Sequence, residues 1–282
     1  MILLQFKFTN NKTRKYFIVF FFLTVLPQFL NGQQSSFIYE LNYKPNQDNT
    51  QGEKIVFYLD VKNKESVFRS DSFRRSDSLR IKRGIGNGFD MEYNNKQLYV
   101  YKSSGNREIL KYVFVPLIHD IYAIPVDEEL KWTILDEKRK IGNYDCQKAA
   151  VSYGGRNWIA WFTTTISIQD GPYIFHGLPG LIIKISDEKM DYDFELHQIT
   201  DFRWDELYPE KFQRKINWES FRKLQQNFYN DPFAMINKSD VISYDEGGNT
   251  TKTNFKVMKE QTQKRIREKN NPVELNHKAA FK

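Results

Sequence analysis

The stretch Gly171-Pro-Tyr-Ile-Phe-His-Gly-Leu-Pro-Gly-Leu-Ile182 decides how this chain is read. Gly177 and Gly180 bracket Leu178-Pro179, and apolar residues follow at once. Pro179 fixes its own φ and pushes Leu178 towards an extended conformation. Glycine at 177 and 180 points to backbone conformations closed to other residues, or to a neighbouring strand passing close by. The expectation is a tight corner feeding a strand, with Leu181, Ile183 and Ile185 on one face. Gly171, Pro172, Gly177, Leu178, Pro179, Gly180, Leu181 and Ile182 then form one structural motif. A backbone-lined ligand site is the functional alternative.

On both sides of this corner the hydrophobic pattern has period two. Phe37, Tyr39, Leu41 and Tyr43 alternate with polar residues, as do Tyr192, Phe194 and Leu196 with Asp193, Glu195 and His197. Such alternation describes strands with one buried face and one wet face. Further strands are expected at 54–59, 97–101, 109–115, 130–135, 145–153, 157–165 and 181–185. Charged or glycine-bearing connections without long intervening helices predict an antiparallel meander. The fold class is therefore mainly β, a β-rich α+β chain built on a curved, half-barrel-like antiparallel sheet. The segment from Arg69 to Arg83 is rich in Ser, Asp and Arg and reads as a short polar helix or a solvated loop. A C-terminal amphipathic helix is predicted from Trp218, Phe221, Leu224 and Phe228, starting near Pro209-Glu210 and stopped by Asn230-Asp231-Pro232. Asn237–Thr251 reads as a loop. Val257–Lys269, basic and short of apolar anchors, reads as a weak helix or a disordered segment.

The corner and its surroundings resemble the GLPGLI family, secreted proteins of Bacteroidetes-type bacteria whose biochemical role is not established. The resemblance rests on more than six letters. Trp132 precedes Lys140-Ile-Gly-Asn-Tyr-Asp-Cys-Gln-Lys-Ala149, then Gly155-Arg-Asn-Trp-Ile-Ala-Trp-Phe162, Ile166 and the motif itself. Asn271-Pro-Val-Glu-Leu275 is similar to the family's closing Asn-Pro-Ile-Glu-Leu. The resemblance implies a secreted or periplasmic β-rich protein and carries no defined substrate.

The N-terminus agrees with export. Lys7, Lys12, Arg14 and Lys15 form a basic region without acids, and an apolar segment runs from Tyr16 to Leu26. That length suits a signal peptide and is too short to span a bilayer. Residues 1–32 are read as the signal, with an uncleaved anchor helix as the alternative. Residues 33–282 are read as a single domain whose polar, helical third begins at about 208. The whole chain has 42 basic and 35 acidic residues, +7, but four of the basic groups lie in residues 1–32. The remainder carries 38 against 35, or +3, which argues against nucleic acid as a partner. No membrane span is expected after signal cleavage. Cys146 is the single cysteine, so no internal disulfide can form. It is expected to be buried, with intermolecular pairing as the alternative.

Arg156 follows the pair Gly154-Gly155 and precedes two tryptophans. Its guanidinium suits either a structural ion pair or stack, or an anionic ligand. Alternation places Trp158 and Trp161 on opposite faces unless a bulge intervenes. His119, His176, His197 and His277 show no metal-binding spacing, so neither a metal nor another cofactor is expected. The function read from these features is a non-enzymatic envelope protein that binds or carries an apolar small molecule, a lipid, or an extended peptide segment of a partner. Arg156, Trp158, Trp161, Phe175 and Leu178 are its candidate ligand-binding residues. Two alternatives stand beside it. One is a hydrolase using His176 or His119 with a nearby carboxylate; the other is a structural partner of an outer-membrane protein complex. The C-terminal Lys278-Ala-Ala-Phe-Lys282 shows no sorting domain, which favours the periplasm over extracellular release.

Overall fold

The computed structural model describes residues 34–46, 52–84, 97–105, 107–114, 121–201, 214–237, 241–244 and 247–282. The signal segment 1–32, His119 and the helix start at Pro209-Glu210 lie outside these residues. The described residues belong to one unit, Gln34–Lys282.

Two runs of strands make the sheet. The first comprises β1 (Gln34–Tyr43), β2 (Glu53–Lys62), β3 (Glu65–Ser70), β4 (Tyr99–Ser103), β5 (Glu108–Phe114) and β6 (Ile121–Pro125). The second comprises β7 (Thr133–Ile141), β8 (Tyr144–Tyr153), β9 (Arg156–Thr163), β10 (Leu181–Asp187) and β11 (Tyr192–Thr200). Each run is an antiparallel meander, and the two are joined where β1 pairs with β11, so that Leu41 faces Phe194. The short β12 (Arg214–Lys215) adds to β6 in parallel. The resulting twelve-stranded sheet is open, with order β12-β6-β5-β4-β3-β2-β1-β11-β10-β9-β8-β7. The expected single antiparallel meander is thus two meanders plus one parallel pair. Between β8 and β9, Gly154 and Gly155 both take positive φ (64° and 78°), the geometry a two-residue type I′ turn demands.

Period-two alternation gives the sheet a core face. Phe37, Tyr39, Leu41, Phe57, Leu59, Trp158, Ala160, Ile185 and Phe194 are all buried on it. The opposite face of β3–β6 is covered by α1 (Asp71–Arg83), whose Phe73 packs edge-on to Phe114 and against Tyr99. Of the two readings of Arg69–Arg83 the short helix is the one that forms, and only the expectation that its charges are all solvated is corrected. Arg69 is fully buried on β3, bonding Asp77 of α1 at 2.9 Å and Asp60 of β2 at 3.0 Å. Arg74 also reaches Asp60, at 3.0 Å. The charges in this segment neutralise one another beneath the helix, which is how a buried ion pair escapes most of its desolvation cost.

On the core-face side, α2 (Trp218–Asn230) is capped by Asn217, whose side chain accepts the Ser220 N–H at 2.8 Å. Phe221 packs on Val113 and Ile124. The segment read as a weak helix or disordered is the helix α3 (Phe255–Glu268), capped by Asn254, and its buried Ile266 packs on Phe228 and Tyr229 of α2. The expected 237–251 loop contains only the two-residue strands β13 (Ser243–Tyr244) and β14 (Thr250–Thr251) among its described residues.

Candidate functional site

The core face of an open sheet needs a cover, and two irregular segments of this chain supply it. One is the loop 164–180 that holds the glycine–proline corner; the other is the stretch 270–279 near the C-terminus. Tyr173, Ile174, Phe175 and Leu178 of the first are buried, as is Val273 of the second, all within the main core. Phe175 sits 4.6 Å from Trp158 and 5.9 Å from Tyr153, ring to ring.

Three cations project from strands of this face and tie both segments down. Lys102 of β4 donates to the carbonyl of Gly171 at 2.8 Å and pairs with Asp170. Asp170 also accepts from Ser66, at 2.5 Å, and from the Gly171 N–H, at 2.7 Å. Burial holds the Lys102 ammonium below its usual range, and the Asp170 charge works against that shift. Lys111 of β5 donates to Glu274 at 2.9 Å and to the Tyr173 hydroxyl at 2.5 Å. Tyr153 and Tyr173 donate to the same carboxylate. Burial alone would raise the Glu274 carboxyl, but Lys111 and the two hydroxyls outweigh it and hold it low. Burial and the Glu274 charge drive both tyrosines well above their usual value.

Arg156 opens β9 and completes the set. Nε donates to the Val273 carbonyl at 3.0 Å, and Nη1 donates to Asp187 and Asp191, each at 2.9 Å. Nη2 donates to the Asn271 side chain at 2.7 Å and to the Pro272 carbonyl at 2.8 Å. All five donors of the guanidinium are therefore used within the chain. Asn271-Pro-Val-Glu274 is thus the counterpart that Arg156 and Lys111 hold.

The five candidate ligand-binding residues divide accordingly. Arg156, Trp158, Phe175 and Leu178 come together in the interior, and each is buried. Trp161 is buried as well and belongs to the main core, but alternation sets it opposite Lys148 and Lys184, and the Arg139 guanidinium stacks 3.9 Å above its ring. A tight turn does feed β10 at the corner, but a bulge breaks the single face expected for Leu181, Ile183 and Ile185. Gly177 has φ 89° and Gly180 φ 155°, and a Cβ on Gly180 would lie 2.0 Å from the Thr163 carbonyl oxygen. A bulge at Ile183 follows directly, between the pairs Ile182–Phe162 and Lys184–Trp161.

His176 is largely buried, and desolvation lowers its pKa. Its Nδ1 donates to the Ile174 carbonyl at 2.8 Å, and its own carbonyl accepts from Trp132 at 2.8 Å. Cys146 is buried, and burial pushes its thiol up to about 11. Among the described residues, no group of three or more His, Cys, Asp or Glu is arranged to hold a metal ion. No described helix is long and apolar enough to cross a membrane.

Lys102 and Lys111 were not singled out from the sequence, though a signal existed. Each falls in register with apolar neighbours, Val100 and Val113 respectively, so each is a lysine on a buried strand face. A buried lysine needs an anion, and that requirement points to Asp170 and Glu274.

What remains open lies elsewhere. Near the small cavity of about 40 Å³ beside Lys111 and Glu274, His277 stacks on Trp218 at 4.4 Å. A larger recess of about 450 Å³ lies at the far edge of the sheet, lined by Lys138, Arg139, Lys140, Asp145, Cys146, Gln147, Phe162 and Thr164. That edge is β7, which among the described residues pairs only with β8 and has no buried residue along its nine positions.

Comparison with known proteins gives a family-model match over one segment and little more. A family model described as "Protein of unknown function (Porph_ging)" matches residues 154–184, which include the glycine–proline corner. No curated protein matches the chain. Two solved structures, "Structure of PNGF-II in C2 space group" and "Structure of PNGF-II in P21 space group", are similar at 14% and 13% identity. Their TM-scores are 0.49 and 0.46, with 68% of this chain covered in each case. The chain spans 32% and 33% of those proteins' own lengths. Likeness at that level carries no inference about function.

Proposed function

We propose that this protein is an exported, non-enzymatic binding module that takes up an extended segment of a partner protein along the free edge of its sheet, at β7. One observation carries the reading: the apolar face is occupied by the chain's own 164–180 and 270–279 segments, while β7 is paired on one side only. That filling of the face by the chain's own segments favours recognition at the surface. An unpaired strand edge is the surface that binds extended chains by main-chain hydrogen bonds.

The local geometry supports this. The β7–β8 hairpin closes on Ile141 and Tyr144 around Gly142-Asn143. In such a hairpin the closing residues form a hydrogen-bonded pair, and bonding then alternates. Ile141 and Arg139 therefore bond β8, and Lys138 and Lys140 direct their N–H and C=O groups outward. Export rests on the basic and apolar N-terminal pattern.

The test is a photo-crosslinking residue at Thr133, in the full chain expressed in its native cell, with a control at Lys189. A discrete adduct from position 133 that disappears when Lys138→Pro is added is the expected result. No adduct from 133, or one that the proline leaves unchanged, refutes the reading.

A further inference from the structure

An exposed edge strand is a hazard, and β7 carries the usual safeguards. It is charged from Asp136 to Lys140, and it bulges, with Ile134 opposite Ala149 but Lys138 already opposite Gln147. Gln147 fills the bulge by donating to the Leu135 carbonyl at 2.9 Å. Past the bulge the strand is regular from Lys138 to Ile141. Lysines on such an edge repel a neutral or basic strand and admit a complementary one, so the safeguard also selects.

Resting on the edge-binding reading above, we infer that the segment taken at β7 is acidic, an extended strand with carboxylates at alternating positions facing Lys138 and Lys140. These two side chains share a face because they are two residues apart. Both line the recess of about 450 Å³, with the Gln147 amide and the Thr164 hydroxyl nearby. Neither lysine has an ion-pair partner among the described residues, whereas neighbouring Glu137 is already held by Lys148 at 2.6 Å. Arg139 also lines the recess and adds a third positive group, with its guanidinium stacked on Trp161. Asp145, opposite Lys140, is the single carboxylate in the recess and leaves its charge balance positive. In an antiparallel partner strand, residues directly opposite Lys138 and Lys140 lie on the same face as the lysines and are themselves two apart. A Glu-x-Glu pattern fits; a string of adjacent acids does not, because every second one would point away.

The experiment titrates the full chain with the fluorescent peptide Thr-Glu-Val-Glu-Val-Glu-Thr and with versions carrying Gln or Lys in place of Glu. The acidic peptide is expected to bind, the Gln peptide about fivefold to tenfold more weakly, and the Lys peptide not measurably. Binding should weaken with added salt. The exposed double variant Lys138→Glu with Lys140→Glu, checked for an unchanged melting temperature, should reverse the preference towards the Lys peptide. Equal binding of the Glu and Gln peptides overturns the acidic preference while leaving edge binding intact. No peptide binding alongside a position-133 adduct in cells also refutes it, since a partner of other chemistry is then present. Competition by inorganic phosphate as effective as by peptide would reduce the recess to a small-anion site, and self-association abolished by Lys138→Pro would make the occupant a second copy. Either result overturns the inference.

Discussion

Gly180→Ala tests whether the glycine–proline corner is a structural device. At Gly180 the backbone has φ 155°, where side chains are rarely tolerated. Holding a residue there costs about 1–3 kcal/mol. The added methyl would also lie 2.0 Å from the Thr163 oxygen and 2.7 Å from its carbonyl carbon. A carbon and a carbonyl oxygen approach no closer than about 3.3 Å in ordinary contacts. The corner must therefore move by more than an ångström, where Leu181 pairs with Thr163 and donates to the Ile166 carbonyl at 3.2 Å. Losing one or two such bonds adds about 1–3 kcal/mol. The sum is about 4 kcal/mol, a large part of the 5–15 kcal/mol typical of a domain. For a chain of this size that lowers the melting temperature by about 8–16 °C. Gly177→Ala is the internal control: its φ is 89°, but its added methyl meets nothing within 4 Å. Only the conformational cost of about 1 kcal/mol applies there, or about 2–4 °C. Calorimetry of both variants decides the matter. Gly180→Ala melting within about 2 °C of the parent, or Gly177→Ala matching its loss, would refute the close-approach argument.

Other expectations follow from the same contacts. Arg156→Lys keeps the charge but cannot serve five acceptors, so it should cost about 3 kcal/mol in urea unfolding and expose the C-terminal stretch to carboxypeptidase; undiminished stability would contradict the clamp. Lys111→Met should cost about 3–5 kcal/mol by leaving Glu274 buried without its cation, and combining it with Glu274→Gln should recover most of the loss. A fully additive double variant would show the pair is not coupled. Tyr39, Tyr153, Tyr173 and Tyr192 are raised well above their usual value, chiefly by burial. Groups raised in the folded state stabilise it below their unfolded value of about 10 and lose that contribution as pH rises towards the folded values. Tyrosinate absorbance should therefore appear only with cooperative alkaline unfolding; ionisation near the usual value with the fold intact would count against this packing. Cys146, with its thiol pushed up to about 11, should resist thiol reagents until the chain unfolds, and rapid labelling of the folded protein would contradict its burial.

Local features of the fold were legible, and long-range ones were not. Alternation through Phe37–Tyr43 and Tyr192–Leu196 identified two strands and their buried faces, but nothing in either segment says that they pair with each other. That pairing joins residues 149 to 164 positions apart, and register between distant strands leaves no local mark. The strands β3 and β6 went unread because each is short and carries charge or proline at its ends. Arg69 and Asp77 misled because a charged cluster that neutralises itself beneath a helix has the same composition as a solvated one. Alternation separated Trp158 from Trp161 correctly. The interior role of Arg156, set against Asn271-Pro-Val-Glu274, depends on a contact between segments 115 or more residues apart. Only Thr133–Leu135 of β7 fell within the strand expected at 130–135, its Lys138–Ile141 part went unread, and that β7 ends the sheet is a property of topology alone.

The account turns on whether the chain's own two segments hold the core face closed while β7 stands open. Residue-resolved amide hydrogen exchange on the full chain measures both at once. The amides of 173–182 and 271–275 should be as protected as those of β9 and β10, with Lys138 and Lys140 exchanging rapidly until an acidic strand is added. Rapid exchange through 164–180 and 270–279, with β7 already protected in the isolated protein, would contradict it.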